Sequence, residues 1–279
     1  MSKKSMHQEI AERNIFPFIG VYDVFSASIA AKFYDALFIS GFSFAASHYG
    51  LPDIGFIAWS DIVEFVRRVR TILPHHHILV DIDDGYTDVE VACHVVSQLE
   101  SIRASGIIIE DQKRPRRCGH FDGKQLIELD EFIHKLKSIL AVRRNMFVIA
   151  RTDAIDFDDI MRRAEAFVEA GADAVLVDAI QDIELLRTLK SCISRPLVFN
   201  QIAGGKSPIC NLQELQDVGV SIVIYSTPAL FAAQESIGNM MISLRENNGL
   251  LVPEKRKVDV QSCTAVLNEN LARRDTLRD

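Results

Sequence analysis

Eight short apolar runs, each followed by a helical pattern, constrain this chain more than any other feature. They occupy residues 16–21, 36–40, 78–82, 106–110, 147–151, 174–178, 197–200 and 221–226. Most are continuously apolar, as strands of a parallel sheet covered on both faces should be. Start and stop signals for helices lie between them. Thr87-x-x-Glu90 reads as a capping box opening a helix with Val91, Val95, Leu99 and Ile102 on one face. Ile160, Ala164, Phe167 and Val168 mark another, closed by Gly171, and Asn211-x-x-Glu214 starts a third that ends near Gly219. Strand–helix alternation repeated eight times predicts a TIM-type (β/α)8 barrel. A doubly wound open sheet is the alternative, but its Gly-rich first turn is missing; the first turn here is Val21-Tyr22-Asp23-Val24-Phe25. Nothing splits the chain. Residues 1–250 read as one α/β-barrel catalytic domain, and 251–279 as a charged, then helical, tail expected to pack on a neighbouring subunit.

The strands end in polar residues. The third runs into Asp81-Ile82-Asp83-Asp84-Gly85-Tyr86, the fourth into Glu110-Asp111, and the fifth into Arg151-Thr152-Asp153; the last three end at Asp178, Asn200 and Ser226. Barrel active sites form at this end of the strands. Asp81, Asp83 and Glu110 are hard oxygen donors suited to Mg²⁺ or Mn²⁺, and Asp53, after Gly50-Leu51-Pro52, adds another acid. Arg151 suits bidentate recognition of a substrate carboxylate, or else a buried ion pair with Asp153. The hydroxyls and amides of the Ser40-Gly41-Phe42-Ser43 loop suit a carboxylate or an oxyanion.

One loop carries a thiol. Lys113, Arg114, Arg116 and Arg117 precede Cys118, and nearby cations are expected to favour its thiolate and lower its pKa. His75-His76-His77 resembles a metal tract, but it precedes the third strand, at the opposite end of the barrel, and reads as surface.

Formal net charge is −7, which argues against nucleic acid as a partner; the short basic run suits a small polyanionic substrate. Five scattered cysteines without C-x-x-C indicate neither a disulfide framework nor a zinc site. Residues 1–14 lack an apolar signal core and no apolar run reaches membrane-span length. A cytoplasmic protein with no membrane partner is expected.

Taken together, Tyr22-Asp23, Ser40-Gly41, Gly50-Leu51-Pro52-Asp53, Asp81-x-Asp83-x-Gly85-Tyr86, Glu110-Asp111-Gln112, Arg117-Cys118-Gly119-His120, Ile149-Ala150-Arg151-Thr152-Asp153-Ala154 and Gly204-Gly205-Lys206-Ser207-Pro208 resemble the isocitrate lyase / phosphoenolpyruvate mutase superfamily. The C-G-H loop is similar to that of its carbon–carbon lyases, such as those acting on 2-methylisocitrate, and of carboxyphosphonoenolpyruvate mutase. The resemblance implies an α/β barrel in a homotetramer that exchanges a C-terminal helix. It implies a Mg²⁺ enzyme (Mn²⁺ as the alternative ion) cleaving a small 2-hydroxy di- or tricarboxylate to pyruvate or glyoxylate plus a second carboxylate. A phosphonate-forming mutase is the alternative, and a non-catalytic binding protein a third reading. Asp81, Asp83, Asp53 and Glu110 would serve the metal. Tyr22, Ser40, Gly41, Phe42, Arg151, Asp178 and Asn200 would hold the substrate. Cys118, with Arg116, His120 and Glu110, would carry the chemistry, Cys118 as the general acid brought in by closure of the loop around residues 112–124. Four positions depart from the family pattern: Arg116 replaces Lys, Asp178 replaces Glu, Ala203 replaces Glu, and Phe42 replaces a small residue.

Overall fold

The computed structural model describes residues 4–86, 88–251 and 258–275. The strands are β1 Phe16–Val21, β2 Ala36–Ile39, β3 His77–Asp81, β4 Gly106–Glu110, β5 Phe147–Thr152, β6 Ala174–Val177, β7 Leu197–Gln201 and β8 Val220–Tyr225. Each pairs in parallel with the next, and β8 returns to β1, closing the barrel. The helices are α1 Met6–Glu12, α2 Val24–Ala30, α3 Gly41–Phe44, α4 Trp59–Ile72, α5 Val89–Ser101, α6 Leu129–Val142, α7 Phe157–Ala170, α8 Glu184–Cys192, α9 Leu212–Asp217, α10 Pro228–Glu246 and α11 Val260–Asp275. The expected fold class is the observed one.

Side chains alternate across each strand, so the barrel has two apolar layers. One set of buried residues packs between strands and helices. The other fills the interior with Phe18, Phe38, Leu79, Ile108, Ile149, Leu176, Val198 and Ile224, while Met6 and Ile10 of α1 close the bottom. Two residues beyond each of these eight interior positions lie Gly20, Ser40, Asp81, Glu110, Arg151, Asp178, Asn200 and Ser226. The same pleat that turns the apolar residue inward turns the next polar one into the barrel mouth.

Gly20 is the exception because no side chain fits. A methyl group there would meet the backbone of Ser226 and lie 2.6 Å from the Tyr225 carbonyl oxygen. Gly20→Ala should therefore destabilise the fold by about 3 kcal/mol through overpacking; a shift of the urea midpoint at constant m would measure it.

Several local expectations hold. Asn211 and Glu214 exchange reciprocal cap bonds of 3.0 and 2.8 Å, and Gly171 ends α7 at φ +103°. Others change. Thr87 lies outside the described residues; the cap of α5 is Asp88, whose carboxylate accepts the Val91 N–H at 2.8 Å. Residues 40–44 form a helical turn, not a loop, because the Ser40 hydroxyl caps the Ser43 N–H at 3.3 Å. Of the three histidines, His75 is exposed, but His77 is the buried first residue of β3, edge-on to Phe16 at 5.7 Å. Its ring fills the barrel bottom, so the surface reading fails there. The expected tail helix is present as α11, which touches α2 and α4: Asn270 donates to the Ser28 hydroxyl at 2.8 Å, and Lys32 pairs with Glu269. Among the described residues no helix is long and apolar enough to cross a membrane.

Candidate active site

The mouth of the barrel holds a small cavity of about 30 Å³, room for no more than a couple of water molecules. Ser40, Phe42, Asp53, Asp81, Cys118, His120, Arg151, Asp178 and Asn200 all line it, so most residues expected at the site are brought together. Gly41, Asp83, Glu110 and Arg116 are buried immediately against this group. Tyr22 is not brought there. It lines a separate cleft of about 440 Å³ between α2 and α4, with Phe44, Asp61 and Arg68. Ser226 lines the mouth as well.

Register explains the centre. Glu110 and Arg151 stand opposite one another on β4 and β5, and Arg151 Nη1 lies 3.3 Å from the Glu110 carboxylate. Arg151 also donates to both oxygens of Asp153, at 2.9 and 3.0 Å, and reaches Asp178 at 2.8 Å. It therefore both faces the cavity and makes the alternative pairing with Asp153. Burial pushes the Asp153 carboxyl up, but Arg151 and Lys124 overcome this and hold it at about 2. Asn200 donates to Asp178 at 2.9 Å and accepts the Ser226 hydroxyl at 2.5 Å. Glu110, Arg151, Asp153, Asp178, Asn200 and Ser226 thus form one continuous network, which is how buried polar groups remain satisfied.

The carboxylate layer lies on the other side. A methyl group at Gly41 would stand 3.2, 3.3 and 3.8 Å from oxygens of Asp83, Asp81 and Asp53; the three acids converge there. Neither Asp83 oxygen accepts a hydrogen bond, although the residue is buried. Burial pushes its carboxyl well above the usual range; Arg116 opposes this, and Asp53, Asp81 and Glu110 reinforce it. Glu110 is pushed up to about 7, also chiefly by burial. Convergent hard oxygens, excess negative charge and an unsatisfied carboxylate fit a divalent cation such as Mg²⁺. As the side chains lie, however, no three His, Cys, Asp or Glu groups among the described residues surround a single ion position. The Arg116 guanidinium sits between them. It is hydrogen-bonded to Asp53, donates from Nε to Glu110 at 2.8 Å, and places Nη1 3.4 Å from Asp83.

The basic run does not act on Cys118 as expected. Arg114 is occupied by a bidentate bond to Asp84, both contacts 2.7 Å, and Arg116 by the acids below. Burial instead pushes the thiol up to about 11. The group is a protonated acid, not an activated thiolate. The loop carrying it is closed. Gly119 passes so close to the floor that a methyl group would collide with Asp178 and lie 2.5 Å from Arg151 Nη2 and 2.8 Å from Asp153. His120 Nδ1 accepts the Lys206 N–H at 2.9 Å, which leaves the ring proton on Nε2, 3.9 Å from Asp178. Burial lowers the His120 pKa, in keeping with a neutral ring. Lys206 Nζ also holds Asp122 at 2.5 Å.

Three of these loop contacts are absent from the sequence reading. Lys124, which binds Asp153 at 2.9 Å, had no signal. Lys206 stood in a quoted motif without a role, and the Arg114–Asp84 clamp joins residues 30 positions apart. Gly119→Ala should leave the barrel folded yet hold the loop open, lowering kcat about 10²-fold. Circular dichroism with steady-state kinetics would check both halves.

A family model described as phosphoenolpyruvate phosphomutase matches residues 6–245. The 2-methylisocitrate lyase of Bacillus subtilis (strain 168) is 34% identical over 261 residues, covering 88% of this chain and 85% of that one. The petal death protein of Dianthus caryophyllus is 33% identical over 253 residues, covering 88% and 79%. Among solved structures, 2,3-dimethylmalate lyase, described as a PEP mutase/isocitrate lyase superfamily member, superposes with a TM-score of 0.89 at 26% identity, covering 96% of this chain and 92% of that one.

Proposed function

This chain belongs to the phosphoenolpyruvate phosphomutase family, and we propose that it is a Mg²⁺-dependent carbon–carbon lyase cleaving a small, 2-methylisocitrate-like 2-hydroxy di- or tricarboxylate to pyruvate or glyoxylate plus a second carboxylate. It is an enzyme of the superfamily that unites such lyases with mutases. One observation carries the lyase reading: a half-buried thiol, Cys118, whose pKa is pushed up to about 11, lines the same small cavity as Ser40, Asp81 and Arg151. A carbanion formed there has an acid at hand.

Arg151 presents a planar, fully charged fork from a rigid strand end and would take a substrate carboxylate in place of one of its present acids. The Ser40 hydroxyl and the amides after it orient the same group, and Phe42, Ile108 and Leu176 give the cavity apolar walls. Asp81, Asp83, Asp53 and Glu110 would hold Mg²⁺ (or Mn²⁺), which would supply Lewis-acid polarisation of the substrate. As the substrate hydroxyl gives its proton to a carboxylate of the layer, Glu110 being the candidate, its oxygen becomes a carbonyl and the carbon–carbon bond breaks; the departing fragment takes the electron pair as an enediolate-like carbanion, and Cys118 delivers a proton to its carbon. His120 and Lys206 keep the loop closed meanwhile, excluding water that would quench the carbanion. We place the enzyme in the cytoplasm as a homotetramer; a monomer in sedimentation velocity would remove the second part of that reading.

The test is release of pyruvate or glyoxylate from a panel of 2-hydroxy di- and tricarboxylates, including 2-methylisocitrate, isocitrate and dimethylmalate, followed through a coupled dehydrogenase. Product from one acid, abolished by a chelator, supports the lyase. Silence across the panel rejects it and favours phosphonate chemistry of the carboxyphosphonoenolpyruvate mutase kind.

A further inference from the structure

We propose that the guanidinium of Arg116 is the resident cation of the carboxylate layer, and that a divalent ion enters only by displacing it. The inference rests on the Mg²⁺ reading above and adds a property of this chain's own side chain. Arg116 is 1% exposed, among the largest fully buried side chains of the molecule. It spans Asp53, Glu110 and Asp83, three of the four acids assigned to the metal. A guanidinium and an ion drawing on the same oxygens exclude each other.

The charges explain why both are accommodated in turn. Four acids, Asp53, Asp81, Asp83 and Glu110, face one guanidinium there; the other nearby arginine, Arg151, is shared with Asp153 and Asp178. Arg116 therefore prevents collapse of the layer without neutralising it, and the Asp83 oxygens remain without hydrogen bonds. Arginine cannot lose its proton at working pH, so the obstruction is not relieved by titration; the side chain has to swing away. Arg116 lies two residues before Cys118, and Arg114 is clamped to Asp84 just upstream. Expulsion of the guanidinium therefore moves the segment that carries the acid. Ion occupancy and the position of the Cys118 loop become one equilibrium.

Competition of this kind reduces apparent affinity by the fraction of molecules with the arginine displaced. Titrating Mn²⁺ into the full-length protein in a calorimeter should give at least about tenfold tighter binding for Arg116→Met than for wild type, with Arg116→Lys, which keeps a charge on a smaller head, in between. Equal dissociation constants for all three would overturn the proposal while leaving the metal reading intact. Mn²⁺ binding to none of them would sink the metal reading and the proposal with it. Because Arg116→Met leaves buried acids unpaired, the wild-type protein supplies an independent check by crystallography with Mn²⁺. An anomalous peak at the acids with Arg116 turned away supports the exchange; a peak with Arg116 still bonded to Asp53 and Glu110 refutes it.

Discussion

Cys118→Ser should lower kcat by about 10²–10⁴-fold, the range a positioned general acid contributes, while binding of the proposed 2-oxo acid product, pyruvate or glyoxylate, stays unchanged. A serine hydroxyl nearly matches the thiol in size, so the cavity survives, but it is a far weaker acid. The pH profile adds a second signature. The thiol is pushed up to about 11 by burial, and a general acid works only while protonated. Turnover by the wild-type enzyme should therefore show no basic limb across the ordinary thiol range of about 8–9. Stopped-flow or coupled assays from about pH 7 to 9.5 measure this: a fall with a midpoint near about 8.5 that vanishes in Cys118→Ser would mean that the thiol titrates in its ordinary range, and a rise with that midpoint would make the thiolate the working form.

Arg151→Met should cost both activity and stability. Arg151 faces Glu110, Asp153 and Asp178 at 2.8–3.3 Å in a buried layer, and removing one partner from such a group costs about 3–5 kcal/mol because the remaining charges are left unpaired. Equilibrium urea unfolding at pH 7 would show it. The acid side gives the sign. The Asp153 carboxyl is held down at about 2, below its unfolded value of about 4. Its ionised form thus contributes stability that is present above pH 4 and is lost as pH falls toward 2. In Arg151→Met that acid-side loss should shrink, since Lys124 becomes the one cation still bonded to the carboxylate, beside the neutral Gln112 amide. An unchanged slope of stability against pH between 4 and 2 would place the shift elsewhere.

Strand periodicity made the barrel and much of its mouth legible. Period-two alternation couples each interior apolar residue to the polar group two positions on, as in Leu79 and Asp81, Ile108 and Glu110, or Ile149 and Arg151. A reader who finds the strands has therefore also found Ser40, Asp178, Asn200 and Ser226. Tyr22 went astray because it lies one step beyond β1, where the chain already turns outward toward α2.

What the sequence determined by itself was local in origin: strand and helix order, the parallel closed sheet, the ring of polar strand ends and the loop bearing Cys118 all follow from alternation and spacing along the chain. Burial and long-range pairing were decided only in three dimensions. The four basic residues before Cys118 predicted a lowered thiol pKa, yet folding directs Arg114 to Asp84 and Arg116 to Asp53 and Glu110, then withdraws the thiol from much of its water, and the sign reverses. The same folding places a guanidinium where four acids had suggested a metal ion. Charge proximity in sequence says nothing about which partner a long, flexible arginine reaches or how much water remains around an ionisable group, and those two quantities set the electrostatics of this site.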